Sequence, residues 1–221
     1  MTTWFPVSFA CPACGTTMEA SEIGSTNVVG RDSDLMPHTA GMHAALLAVA
    51  ACRCGYADYV GRMRETRLTP AQKHAFLESE RPEIADAPPA HRRFELAERT
   101  RSILGDGSRA LGDLLLHASW CLRLEGVADA ALEAGYRSRA LAHFSRALAD
   151  VDMPRENRRA TLYLVGELSR LLGRFDDALR AFDPVLADDA TDADLRRLAE
   201  AVRARAEARD AKLYSVADLM P

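Results

Sequence analysis

Four of the chain's five cysteines fall within its first 54 residues, and they come in two pairs. Cys11 and Cys14 stand in C-P-A-C-G; Cys52 and Cys54 stand in C-R-C-G-Y. Two close thiolate pairs on separate turns can surround one tetrahedral Zn2+ at Zn–S distances of about 2.3 Å. Gly15 and Gly55 follow the pairs. A glycine there lets the chain turn with positive φ, so that backbone N–H groups face the sulfurs and stabilise their negative charge. The first pair has the spacing of a zinc-ribbon knuckle. The second departs from it: Ala51 occupies the position where a regular knuckle has a cysteine, and a single residue separates Cys52 from Cys54. The expected metal ligands are Cys11, Cys14, Cys52 and Cys54, with His38 or His43 as alternatives for one of them.

Energetics favour a structural role for that ion. Residues 1–63 are rich in Gly, Thr and Ser and poor in large apolar side chains, and so small a lobe cannot offset its chain entropy by core burial alone. A structural Zn2+ contributes on the order of 10–16 kcal/mol of apparent binding free energy. Short strands are expected at residues 7–10, 27–30, 46–51 and 56–60. Between the cysteine pairs, R-D-S-D-L-M-P-H (residues 31–38) reads as a loop. Its readings are a brace, with Arg31 bridging a neighbouring aspartate, or a recognition loop that could lend His38 as a ligand.

Other chemistry has little support. H-E-x-x-H and deaminase-type H-x-E spacings, a P-loop, G-x-G-x-x-G and a G-x-S-x-G elbow are all missing. His74, His91, His117 and His143 stand singly on expected helices. The 28 Lys+Arg against 32 Asp+Glu give a net charge of −4, which argues against phosphate-backbone binding. Residues 1–63 hold Arg31, Arg53 and Arg62 against Glu19, Glu22, Asp32, Asp34 and Asp58. No apolar run approaches the roughly 18 residues of a membrane span, and the N-terminus has no positive region of a signal peptide. A cytoplasmic chain with reduced thiols is the expectation.

The elements that must position the cysteines lie mostly downstream, and they are helical. Thr69-Pro70-Ala71-Gln72 is a capping box and opens a helix expected to end near Pro82. Ala87-Pro88-Pro89 opens the next, which stops at Gly105-Asp106-Gly107. Ser108 is expected to cap a third, where Leu111, Leu114, Leu115, Ala118, Cys121 and Leu122 recur at helical spacing. Cys121 lies on that stripe as a core residue. Residues 139–150 (RALAHFSRALAD) then match residues 177–188 (DALRAFDPVLAD) at an offset of 38, with Phe144 and Phe182 in register. A period of this size marks stacked helical hairpins.

Residues 159–188 resemble a tetratricopeptide repeat (TPR), with Gly166, Leu172-Gly173-Arg174, Ala178 and Phe182 at its small, turn and aromatic positions; Leu162 and Ser169 depart from it. By that analogy Tyr163, Glu167 and Arg170, with Ala160 and Leu171, would face a groove that recruits a protein or peptide partner. Residues 192–214 suit a charged capping helix. The order C-P-A-C-G, R-D-S-D-L-M-P-H, C-R-C-G-Y-A, a Trp-bearing helix and Y-L-V-G-E-L-S-R-L-L-G-R-F-D-D-A-L resembles a bacterial domain-of-unknown-function family (DUF2225). The resemblance implies an architecture and no activity. The expected fold is α+β, mostly α: a zinc-ribbon-like β lobe over residues 1–63, then an antiparallel, TPR-like helical-hairpin bundle over residues 64–221. The expected function is a non-enzymatic zinc-binding adaptor. The alternatives are a zinc-dependent enzyme with an open site near Cys52, Cys54 and His38, or a nucleic-acid-associated regulator.

Overall fold

The computed structural model describes residues 2–220 except 42, 47, 81, 83, 85 and 86. Six strands among these residues form three separate antiparallel pairs. β1 (Thr3–Ala10) pairs with β2 (Thr17–Ser25), setting Val7 opposite Ala20 and Phe9 opposite Met18. β3 (Val28–Arg31) pairs with β4 (Pro37–Thr39), and β5 (Val49–Ala51) with β6 (Ala57–Tyr59). The apolar run at residues 46–51 is divided. A 3-10 turn covers Ala44–Leu46, residue 47 lies outside the described residues, and only Val49–Ala51 is extended. β2 has a weak sequence signal because its T-M-E-A-S-E-I-G-S run is polar and none of its side chains is fully buried.

The helices are α1 (Val60–Glu65), α2 (Pro70–Glu78), α3 (Ala90–Ile103), α4 (Ser108–Leu124), α5 (Ala130–Ala147), α6 (Arg155–Leu171), α7 (Phe175–Ala187), α8 (Ala193–Glu207) and α9 (Val216–Leu219). The fold is α+β and mostly α. At the start of α2 the capping box is complete: Gln72 N donates to Thr69 Oγ1 at 3.2 Å, and Thr69 N to Gln72 Oε1 at 3.0 Å. Ser108 is not the cap of α4; Gly107 holds that position and no side chain bonds there. The segment before Tyr136 is already helical, because Asp129 caps α5 by accepting from Leu132 N at 2.9 Å. α8 stops at Glu207, short of Tyr214. Arg209 takes a left-handed φ of 53°, and Asp210 N closes the helix end on Arg205 O at 2.9 Å.

Helices α3 to α8 pack each against the next. Two of these contacts rest on the same device. A Cβ built on Gly112 of α4 would stand 2.7 Å from the Phe144 ring of α5, and one on Gly166 of α6 would stand 2.6 Å from the Phe182 ring of α7. The missing side chains let each helix pair close onto a phenylalanine. The core is shared along the chain. Met36, Val49 and Ala57 of the strand-bearing segment pack in one cluster with Phe94, Leu115, Trp120 and Tyr163 of the helices. A second cluster holds Cys11, Ala13, Cys52, Tyr56, Met63 and Phe76, so α1 and α2 pack beside the cysteines.

Candidate metal centre

The two cysteine turns are the same device at two lengths. In the first, Cys11 N donates to Thr16 O and Gly15 N to Cys11 O, both at 2.9 Å; in the second, Cys52 N donates to Tyr56 O and Gly55 N to Cys52 O, both at 2.8 Å. The second turn closes one residue sooner, which is where the shortened C-x-C spacing goes. Gly15 and Gly55 sit at φ of 78° and 95°, a region that side chains oppose. β1 delivers the first turn and the β5–β6 pair encloses the second.

These turns bring four sulfurs together. The Sγ atoms of Cys11, Cys14, Cys52 and Cys54 all lie within 4.8 Å of one another. Cys11 and Cys54 are 3.7 Å apart, and Cys14 and Cys52 are 3.6 Å apart. Tetrahedral bonding at about 2.3 Å places sulfurs roughly 3.8 Å from each other, so the geometry fits a bound metal ion. Cys11 and Cys52 are buried, Cys54 is half-buried and Cys14 is exposed.

The electrostatics fit as well. Cys52 is pushed down to about 2, chiefly by hydrogen bonds from Cys11 and Cys54 to its thiolate. Cys11 is pushed up to about 12, because the bond to Cys52 holds its proton. Cys54 is raised by its sulfur neighbours in the same way. The cluster therefore keeps one thiolate at the expense of the others, and only a cation lets several ionise together. Backbone N–H groups already point at the sulfurs: those of Ala13 and Cys14 at Cys11, that of Cys54 at Cys52 and that of Tyr56 at Cys54.

Neither histidine alternative joins the sulfurs; among the described residues the cluster consists of the four cysteines. His38 Nε2 is 2.7 Å from Asp32 Oδ1, and His43 Nδ1 is 3.2 Å from Thr39 Oγ1. The fifth cysteine, Cys121, is buried in α4 with its thiol pushed up to about 12 by desolvation.

The loop between the cysteine pairs inserts into the helical body. Asp32, Ser33 and Asp34 are all buried. Arg123 of α4, and not the neighbouring Arg31, supplies the salt bridge, 2.8 Å from Asp34 Oδ2. Ser33 Oγ donates to Glu167 Oε1 at 2.5 Å, and Tyr163 OH donates to Ser33 O at 2.6 Å. This corrects the open-groove expectation for Tyr163, Glu167 and Arg170. All three are 0% exposed, because the chain itself covers that face of α6. Arg170 donates from Nε and Nη2 to Glu167, both at 2.7 Å, and from Nη1 to the carbonyls of Asp210 at 2.6 Å and Lys212 at 2.8 Å. Burial raises the Glu167 carboxyl, and the Arg170 guanidinium opposes that rise.

The chain belongs to a bacterial family: the model described as "Uncharacterized protein conserved in bacteria (DUF2225)" matches residues 5–208. No curated protein and no solved structure matches it. Among the described residues no helix is long and apolar enough to cross a membrane.

Proposed function

We propose that the chain is a non-enzymatic interaction protein in which Cys11, Cys14, Cys52 and Cys54 hold a structural Zn2+ and a TPR-like helical body takes up a segment of a protein partner. One observation carries this reading: Arg170 of α6 already holds polypeptide backbone, donating to the chain's own carbonyls of Asp210 and Lys212. A helical face that binds backbone carbonyls in this way has the chemistry to bind those of a partner segment. Four thiolates at tetrahedral spacing favour Zn2+, and they fill its coordination, which leaves no position for a reacting water. The enzymatic alternative needs His38 as a ligand or base near the sulfurs, and His38 is engaged with Asp32 instead.

Cobalt substitution tests the metal half. A closed four-sulfur site gives intense thiolate charge-transfer absorption and visible bands that added azide leaves unchanged. Bands that shift with azide would reveal an open position and restore the enzymatic alternative. The recruiting half is tested by placing a photoreactive amino acid at exposed Lys212 of the full chain in living bacteria. A recurrent adduct with one protein supports it, and no adduct overturns it.

A further inference from the structure

Beside the first cysteine turn lies a cleft of about 400 Å3, bounded by the end of β1, the turn itself, α1 and the start of α2. Part of its lining is apolar: Phe9 and Leu68 are half-buried and pack against the smaller core. The exposed part is cationic. Arg64, Arg67 and Lys73 line it, and among the described residues that do so there is no carboxylate. This is a local excess of positive charge in a chain whose net charge is −4.

Two of these cations are without an acidic partner. Arg64 is paired with Glu22 of β2. Arg67 has no such pair; its Nη1 donates to the carbonyls of Arg64 and Thr66, both at 3.1 Å, which fixes the guanidinium against its own loop. Lys73, on the second turn of α2, has no ion pair among the described residues. Nor do these charges serve the metal centre. The groups that act most on the Cys11, Cys52 and Cys54 thiols are neighbouring sulfurs and backbone N–H groups, with no guanidinium or ammonium among them.

Like charges that converge on one cleft repel, and an anion seated between them reverses the sign of that energy. A phosphate group carries nearly two negative charges and three acceptor oxygens, enough to engage both free cations. Arginine offers it a planar fork of donors and lysine a point charge. A guanidinium already anchored by backbone carbonyls loses less freedom on binding. The volume falls within the range of about 300–1,000 Å3 common to small-molecule sites, and the apolar wall suits the organic part of a ligand.

We propose that this cleft binds a small phosphorylated molecule, its phosphate oxygens on Arg67 and Lys73 and its organic part against Phe9 and Leu68. Arg64 stays with Glu22 and adds its field. The site is separate from α6, so it stands or falls independently of the recruiting role.

Isothermal titration of the zinc-loaded full chain with ADP, inorganic pyrophosphate and adenosine tests this. ADP should saturate the chain below about 1 mM, pyrophosphate should bind at least about fivefold more weakly, and adenosine should not bind in that range. In the Arg67→Ala/Lys73→Ala chain the affinity for ADP should fall at least about tenfold. Both side chains are exposed, so the variant should keep the circular dichroism and the zinc content of the parent. Failure of the parent to bind either ADP or pyrophosphate overturns the proposal. So does ADP binding that the double variant retains in full, which would put the ligand elsewhere on the chain. Pyrophosphate binding as tight as that of ADP would leave the apolar wall unused and overturns it too. A double variant that loses its zinc also overturns it, because the two cations would then be balancing the thiolates.

Discussion

Ser33 Oγ donates to Glu167 Oε1 at 2.5 Å, which ties residues 134 positions apart at a point where neither side chain meets solvent. Glu167 is then held from both sides, by that hydroxyl and by Arg170. Deleting the hydroxyl leaves part of a buried carboxylate unsatisfied, a loss of about 1–3 kcal/mol. Glu167→Ala should cost more, about 3–5 kcal/mol, because it strands a buried guanidinium. Urea unfolding of Ser33→Ala and Glu167→Ala measures both. A Ser33→Ala variant as stable as the parent would mean that the loop rests on the helices without being anchored there.

Glycines on α4 and α6 should respond to a methyl group in a direction opposite to one on α5. At Gly112 and Gly166 an added Cβ meets a phenylalanine ring at 2.7 and 2.6 Å, whereas nothing lies within 4 Å of one at Gly135. Gly112→Ala and Gly166→Ala should each destabilise by about 1–3 kcal/mol through overpacking. Gly135→Ala should stabilise by about 0.5–1 kcal/mol, since it lowers the entropy of the unfolded chain without a clash. Combining Gly166→Ala with Phe182→Leu should cost less than the two separate changes added together. Thermal melts of the set give the signs directly.

These two sites also mark how far the sequence could be read. Phe144 and Phe182 announce themselves at an offset of 38, but Gly112 and Gly166 are 54 positions apart, so one offset cannot align both halves of the hairpins. The cysteine pairs and their glycines are legible because ligand spacing is local. The burial of Tyr163, Glu167 and Arg170 is not. Their i, i+4, i+7 spacing fixes a shared face of α6, but what covers it arrives from residues 33 and 210–214. Likewise Asp34 finds Arg123, 89 positions away, instead of Arg31 beside it. Local pattern reports which side chains share a face; it carries no record of a distant loop that caps it.

Metal removal should act locally. The sulfur cluster sits in the smaller core with Tyr56, Met63 and Phe76, whereas α4 to α8 pack in the other. Chelation should abolish hydrogen-exchange protection in both cysteine turns and the β1–β2 pair and leave that of α4 and α6 largely intact. Cys52→Ser should lower metal affinity by at least about a hundredfold, more than the loss of an outer-shell partner costs. Cys121→Ala should leave one ion per chain, since that thiol is buried apart from the cluster. Protection of residues 11–16 and 52–56 that survives chelation would show that backbone turns alone hold this segment.

His117 gives the protein a predictable acid sensitivity. It is half-buried on α4 among Tyr59, Phe94 and Trp120, with Tyr59 OH 3.0 Å from its Nδ1 and the Trp120 ring centroid at 4.5 Å. Desolvation pushes it down from 6.5 to about 4, and the charge of Arg109 adds to that. The unfolded chain therefore takes up a proton at this residue below pH 6.5 while the folded chain stays neutral until about pH 4. More protons bound to the unfolded state means that stability falls as pH falls through this window, by up to about 3 kcal/mol at its lower end. His117→Phe keeps an aromatic ring against Trp120 and cannot titrate. It will lose some stability at pH 7 by leaving Tyr59 OH without its partner, but the gap between parent and variant should narrow by about 2 kcal/mol on going to pH 5. Urea titrations of both chains from pH 7 to pH 5 measure that gap with every other titrating group held in common. Parallel stability curves over that range would mean that His117 accepts a proton in the folded state as readily as in the unfolded one.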